Sequence, residues 1–158
     1  MLDSYDTHIL EVLQQAGDIG PVEMSARVHL SASQCSRRMQ QLRKAGFVVA
    51  VRAVLDAERL HIGIRAYVLL TMMSHDPETA TAFHERVRAL DEVLEAQTLT
   101  GSPDMILKVA THDLASFNRL LTKHILAAPE VATARSSIIL SEVKSTTSLP
   151  LRFTNRVD

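Results

Sequence analysis

Ser33, Gln34, Arg37 and Gln40 fall at helical spacing within residues 30–46, with Ser31 before them and Arg43 and Lys44 close behind. Hydroxyls and amides donate to and accept from base edges, and guanidinium and ammonium groups take phosphate oxygens or the outer edge of guanine. That chemistry is the reading of double-stranded DNA. It requires the side chains to project together from one rigid face. Ser31 and Gln34 have capping-box spacing, and Gly46 suits the left-handed residue that ends a helix. Cys35, Met39 and Leu42, at i, i+4 and i+7, form a stripe that turns inward. Ser33, Gln34, Arg37 and Gln40 then occupy the outward, amino-terminal part, the end that enters a groove in helix-turn-helix proteins. They are the candidate base readers. Ser31, Arg27, Arg43, Lys44 and Arg52 are the candidate phosphate contacts. Arg38 stands beside the Met39 stripe, where it meets either a phosphate or, in an ion pair, Asp6 or Glu11.

The charge distribution points to a polyanion partner for this segment alone. Six of the 17 basic residues and none of the 18 acidic ones lie within residues 24–55, although the whole chain carries only −1. A basic patch confined to one segment is the footprint of a small nucleic-acid-binding module. Apolar residues make up 46% of the 158 and charged residues 22%, enough for a packed core in one ordinary domain or two small ones. A lone cysteine excludes an internal disulfide framework and fits a reducing, cytoplasmic compartment. No basic region followed by an apolar core opens the chain, and no apolar run nears the roughly 20 residues that span a bilayer. Neither a signal peptide nor a membrane partner is expected.

Three helices must position the candidate DNA face. Residues 4–15 carry the stripe Ile9, Val12 and Leu13 and stop at Gly17; Pro21 opens a short second helix through Val28; His29 and Leu30 turn the chain into the third. This is a helix-turn-helix arrangement. The β-branched run 47–55 is expected to add a strand or wing, completing a domain over 1–55, and 56–63 is the expected linker. Residues 64–151 change rhythm. Strand-like runs at 66–73, 93–100, 105–110 and 131–143 alternate with helices opened by Asp76-Pro77 and by His112-Asp113, giving the order βαββαβ. That is the ferredoxin-like plan, so the fold class is α+β, with residues 152–158 as a tail. Such a sheet leaves one face without helices, and a second copy of the chain is expected to cover it.

Few residues suggest catalysis. The seven histidines are scattered with no i, i+4 pair on one helix, and no cysteine pair accompanies them, so no metal site is expected. Cys35 and the six methionines read as packing rather than as nucleophile or ligands. Neither a phosphate-binding glycine loop nor a recognisable Ser/His/Asp set is present.

In order and spacing the chain resembles the Lrp/AsnC (feast/famine) family over nearly its whole length. The residues that carry the likeness begin with Leu2-Asp3, Asp6, Ile9-Leu10, Met24-Ser25, Val28 and Leu30-Ser31. They continue through Arg38-Met39, Leu42, Ala45-Gly46, Thr100-Gly101-Ser102-Pro103-Asp104, Val143-Lys144, Thr146-Thr147 and Leu149-Pro150-Leu151. The resemblance implies an amino-terminal winged helix-turn-helix joined to an αβ domain that binds an effector, dimerises and assembles further, up to octamers. It implies a sequence-specific transcription regulator answering to an amino acid or a related metabolite, with no other cofactor.

Within that frame the turn Thr100-Gly101-Ser102-Pro103-Asp104 is the candidate effector site; otherwise it is a plain hairpin between two strands. Glycine permits close backbone approach, free N–H groups there can hold a carboxylate, and Asp104 can pair with an α-amino group. Thr98, Thr100 and Ser136 are expected to line the same pocket. Pro103 fixes φ and removes one donor. The competing function is an enzyme or small-molecule carrier in which the αβ half does the chemistry, since ferredoxin-like folds host many activities.

Overall fold

A computed structural model of the chain describes residues 2–74 and 76–153. It divides into two compact units, Met1–Val54 with Lys144–Asp158, and Leu55–Val143. In the first unit α1 spans Ser4–Gln15, α2 Pro21–Val28 and α3 Ala32–Lys44. Each start has a local cause. The Asp3 carboxylate accepts the Asp6 N–H at 2.8 Å and the Asp6 carboxylate accepts the Asp3 N–H at 3.3 Å. Pro21 fills the first turn of α2, where its missing N–H costs nothing. His29, left-handed at φ 55°, swings the chain from α2 into α3. At the far end of α3, Gly46 sits at φ 80°, the Phe47 N–H reaches the Leu42 carbonyl and the Gly46 N–H that of Arg43, both at 3.0 Å. This pairing is a Schellman stop. Ile9, Met24, Val28 and Cys35 form the centre of the core, with the expected stripe Cys35, Met39 and Leu42 facing in.

One expectation for this part of the chain needs correction. Residues 48–56 form no strand, so the β-branched run builds no wing. Among the described residues this unit holds no other strand, and a ladder needs a neighbour to take its N–H and C=O groups. The run instead lies extended, with Val49 and Val54 almost wholly exposed and Val48 partly packed on the core. Residues 144–151, the end of the expected second domain, make contact with the helices. The Gln14 side chain donates to the Leu149 carbonyl at 3.2 Å and accepts its N–H at 2.5 Å, and Leu151 packs on the helical core.

The second unit runs β1 Ile64–Met72, α4 Pro77–Arg88, β2 Val93–Thr98, β3 Met105–Thr111, α5 Leu114–Leu120 and β4 Val131–Ile138. A single π-helical turn, Leu121–Ile125, prolongs α5. The strands form one antiparallel sheet in the order β2-β3-β1-β4, as the ferredoxin-like plan requires. β4 ends at Ile138, short of the expected residue 143. The expected linker is a folded turn: the Asp56 carboxylate accepts the N–H groups of Glu58 and Arg59, and the Gly63 N–H bonds the His112 carbonyl at 3.1 Å. A Cβ on Gly63 would stand 2.6 Å from that carbonyl oxygen.

Side-chain alternation sorts the sheet into two faces. Ala66, Val68 and Leu70 of β1 with Met105, Leu107 and Val109 of β3 are buried against Phe83 and Val87 of α4 and Phe117 and Leu120 of α5. On the other face Tyr67 and Leu69 lie beside Lys108, whose ammonium bonds the Glu95 carboxylate at 3.1 Å.

Asp113 caps α5 through the Ser116 N–H at 2.7 Å. That bond, with the Ser116 hydroxyl and then His112 behind it, holds its carboxyl down at about 2, against an ordinary 3.8. A carboxyl lowered in the folded state stabilises fully above its unfolded value and loses that contribution as pH falls toward the folded one. Urea unfolding followed by circular dichroism should therefore show a stability loss between pH 3.8 and about 2 that is shallower in Asp113→Ala. An identical slope in the variant would rule the cap out as its source.

Candidate DNA-binding and effector sites

α3 presents one continuous exposed face. Ser33, Gln34, Arg37, Gln40 and Lys44 all lie on it, with Arg43 at its edge. The capping box sets their frame: the Ser31 hydroxyl accepts the Gln34 N–H at 3.3 Å, and the Gln34 side-chain oxygen accepts the Ser31 N–H at 3.0 Å. Gln34 thus offers a partner its NH₂ end, its oxygen being engaged. The Ser31 and Ser33 hydroxyls stand 3.1 Å apart at the helix start. Among the described residues Arg37, Arg43 and Lys44 make no ion pair, so their charge faces solvent. Arg52 is exposed in the extended run after the helix. Arg27 pairs with Glu23 one turn back at 2.7 Å, an exposed i, i+4 bridge of little strength.

Arg38 leaves the candidate DNA set. Its Nη1 bonds Asp6 at 2.6 Å and Asp3 at 2.8 Å, and its guanidinium lies 5.6 Å from the Tyr5 ring centre. The hydrogen bonds that Arg38 donates to Asp6 and then to Asp3 raise its pKa further, while the Asp3 carboxyl is lowered chiefly by the Asp6 N–H. This is an internal brace between α3 and the start of α1. Arg38→Ala should cost on the order of 1 kcal/mol of stability and leave the ranking of DNA sequences unchanged. A changed ranking in a binding-site selection would return it to the interface.

At the other unit's candidate site, the β2–β3 turn closes on Leu70 and Met72 of β1. The Asp104 carboxylate accepts the Met72 N–H at 2.7 Å, at the irregularity between Thr71 and Met72. The Asp104 N–H bonds the Leu70 carbonyl at 2.9 Å, and Gly101 is left-handed at φ 97°. Beside this turn lies a cavity of about 500 Å³, lined by Thr98, Gly101 and Asp104 together with Met72, Ser74, Ala80, His84, Leu99 and Met105. A second cavity of about 380 Å³ follows the gap between α4 and β2. Thr100, Ser102 and Pro103 belong to the turn without lining the cavity. Ser136 is not brought to it: on β4 it pairs with Val68, while the turn sits past Leu70 at the opposite side of β1.

Two family models match the chain, an AsnC-type helix-turn-helix domain over residues 2–43 and a Lrp/AsnC ligand binding domain over residues 65–149. The chain belongs to the Lrp/AsnC family. It is 32% identical to a leucine-responsive regulatory protein of Haemophilus influenzae over 151 residues, covering 96% of this chain and 91% of that one. A transcriptional regulator of Neisseria meningitidis, solved as a complex with L-Met, superposes with a TM-score of 0.92 at 38% identity, covering 96% and 97%. An AsnC family regulator of Agrobacterium tumefaciens gives 0.90 at 28%, covering 96% and 99%. The chain is therefore a DNA-binding transcription regulator of the Lrp/AsnC type with a domain for a small effector.

The structure of this Lrp/AsnC protein adds candidate site residues that sequence reasoning missed. Gln41 shares the outward face of α3, one turn beyond Arg37, and a helical projection of residues 32–44 would have found it. Met72, Ser74, Ala80 and His84 join the candidate effector cavity from β1, the following loop and α4. No local signal marks them, because only the tertiary fold brings those elements to the turn. No helix among the described residues is long and apolar enough to cross a membrane.

Proposed function

We propose that this regulator binds a pseudo-palindromic operator through two copies of α3, presented by a homodimer or a larger assembly such as an octamer. Ser33, Gln34, Arg37 and Gln40 read bases, while Arg27, Ser31, Arg43, Lys44 and Arg52 hold phosphates. The observation that carries the reading is the exposed face of α3, whose free cations lie in a window without one acidic residue. Half-sites roughly 10 base pairs apart, or a multiple, follow from a two-fold dimer. The open sheet face, with Tyr67 and Leu69 only partly covered, supports pairing with a second copy. Gel shift on the promoter of its own or a neighbouring gene tests the reading; binding that is neither sequence-selective nor salt-sensitive would sink it.

The effector of this reading is an amino acid held at Gly101 and Asp104, with Thr98, Thr100, Ser102 and Pro103 shaping the turn. Two relatives point the same way, one by being leucine-responsive and the other by its complex with L-Met. The protein acts as a cytoplasmic regulator rather than an enzyme, and conversion of a bound metabolite in a turnover assay would overturn that. A thermal-shift screen against the twenty amino acids identifies the effector, since a ligand bound only by the native state raises the melting temperature. An effector seated between dimers would shift the assembly state and with it the spacing of the DNA-binding heads. Light scattering with and without ligand checks this, and an unchanged mass with altered DNA affinity would place the switch within the dimer.

A further inference from the structure

Resting on the amino-acid reading of the effector cavity, we infer that His84 is the wall that sets how long the effector's side chain can be. The two cavities of the second unit share three lining residues, Thr98, Met105 and His84. Thr98 and Met105 are register partners on adjacent strands, so they form a continuous floor beneath both spaces. His84 comes from the opposite side, on α4, half-buried between Phe83 and Glu85. The turn end of the first cavity offers the groups that take an α-ammonium and an α-carboxylate, Asp104 and the backbone at Gly101. Beyond them the first cavity is walled by Met72, Ala80 and Leu99. A side chain leaving the turn along that apolar wall meets the imidazole. Past it, the second cavity continues along Val87, Val93 and Ala96, with Arg88 and Glu95 also on its lining. The imidazole therefore stands between the turn-side cavity and a second space of mixed polar and apolar lining. The effector class follows: an L-amino acid with an unbranched or singly branched apolar side chain that ends before His84.

A homologous series of straight-chain L-2-amino acids, from five to eight carbons, tests the wall by calorimetry on the full-length protein. In the wild type each added methylene should tighten binding about fourfold until the chain reaches His84, after which affinity falls. His84→Ala should move the fall-off at least two carbons further, with at least a tenfold gain for the eight-carbon ligand and less than a threefold change for the five-carbon one. His84→Phe, which keeps a flat ring in place, should retain the wild-type limit. An unchanged limit in His84→Ala, or a lost limit in His84→Phe, overturns the inference while leaving the amino-acid reading standing. If no member of the series binds either the wild type or the variants, both fall.

Discussion

Arg37→Ala is expected to flatten the protein's base preference, costing about 1–3 kcal/mol at the one operator position it reads. Lys44→Ala is expected to weaken every sequence alike and to lower the salt slope by about 1. The contrast rests on where α3 places the two cations. Arg37 stands one turn inside the capped start, flanked by Ser33 and Gln40 on the same exposed face. A planar guanidinium there can donate two parallel bonds to one guanine, so its loss is felt at one base pair. Lys44 closes the last turn, and in the proposed docking, with the amino-terminal end of the helix in the groove, a point charge there would meet phosphate rather than a base edge. Competition binding against single-base variants of one operator, repeated at several salt concentrations, separates the two effects. Equal loss across all variants for Arg37→Ala would move that residue to the backbone set.

The same helix shows why parts of the site were legible in the sequence. Caps are local, and Asp3, Ser31, Asp76 and Asp113 mark helix starts with residues that lie within three positions of their partners. The inward stripe of α3 repeats at a fixed angle, so Cys35, Met39 and Leu42 could be assigned without knowing what they pack against. Arg38 was narrowed to two fates by that angle, and the carboxylates 32 and 35 residues away decided between them. Where the cause is non-local, pattern fails. A β-branched run states a preference for extended backbone but says nothing about a neighbouring strand, so residues 47–55 promised a wing that finds no strand to join among the described residues of their unit. Ser136 was placed by strand order alone, yet its register opposite Val68 takes it away from the turn. The return of residues 144–151 to the helices depends on Gln14, 135 positions from Leu149.

Phe83 and His84 carry this distinction down to one peptide bond. Consecutive residues on a helix point about 100° apart, so α4 sends Phe83 into the core and His84 to the cavity. Phe83 is fully buried among Val68, Leu70 and Leu107. Phe83→Ala should remove about 3–5 kcal/mol of stability, a large share of the roughly 5–15 kcal/mol that holds a domain together. Urea unfolding followed by far-ultraviolet circular dichroism reads that loss. Effector binding should weaken with it, because α4 would no longer be held against β2 and β3, and a high concentration of effector should restore part of the stability. His84→Ala should alter which effector binds at little cost in stability, its side chain being half in solvent. A Phe83→Ala loss below about 1 kcal/mol would mean that the helix is not packed on the sheet through this ring, and the wall at His84 would lose the support that positions it.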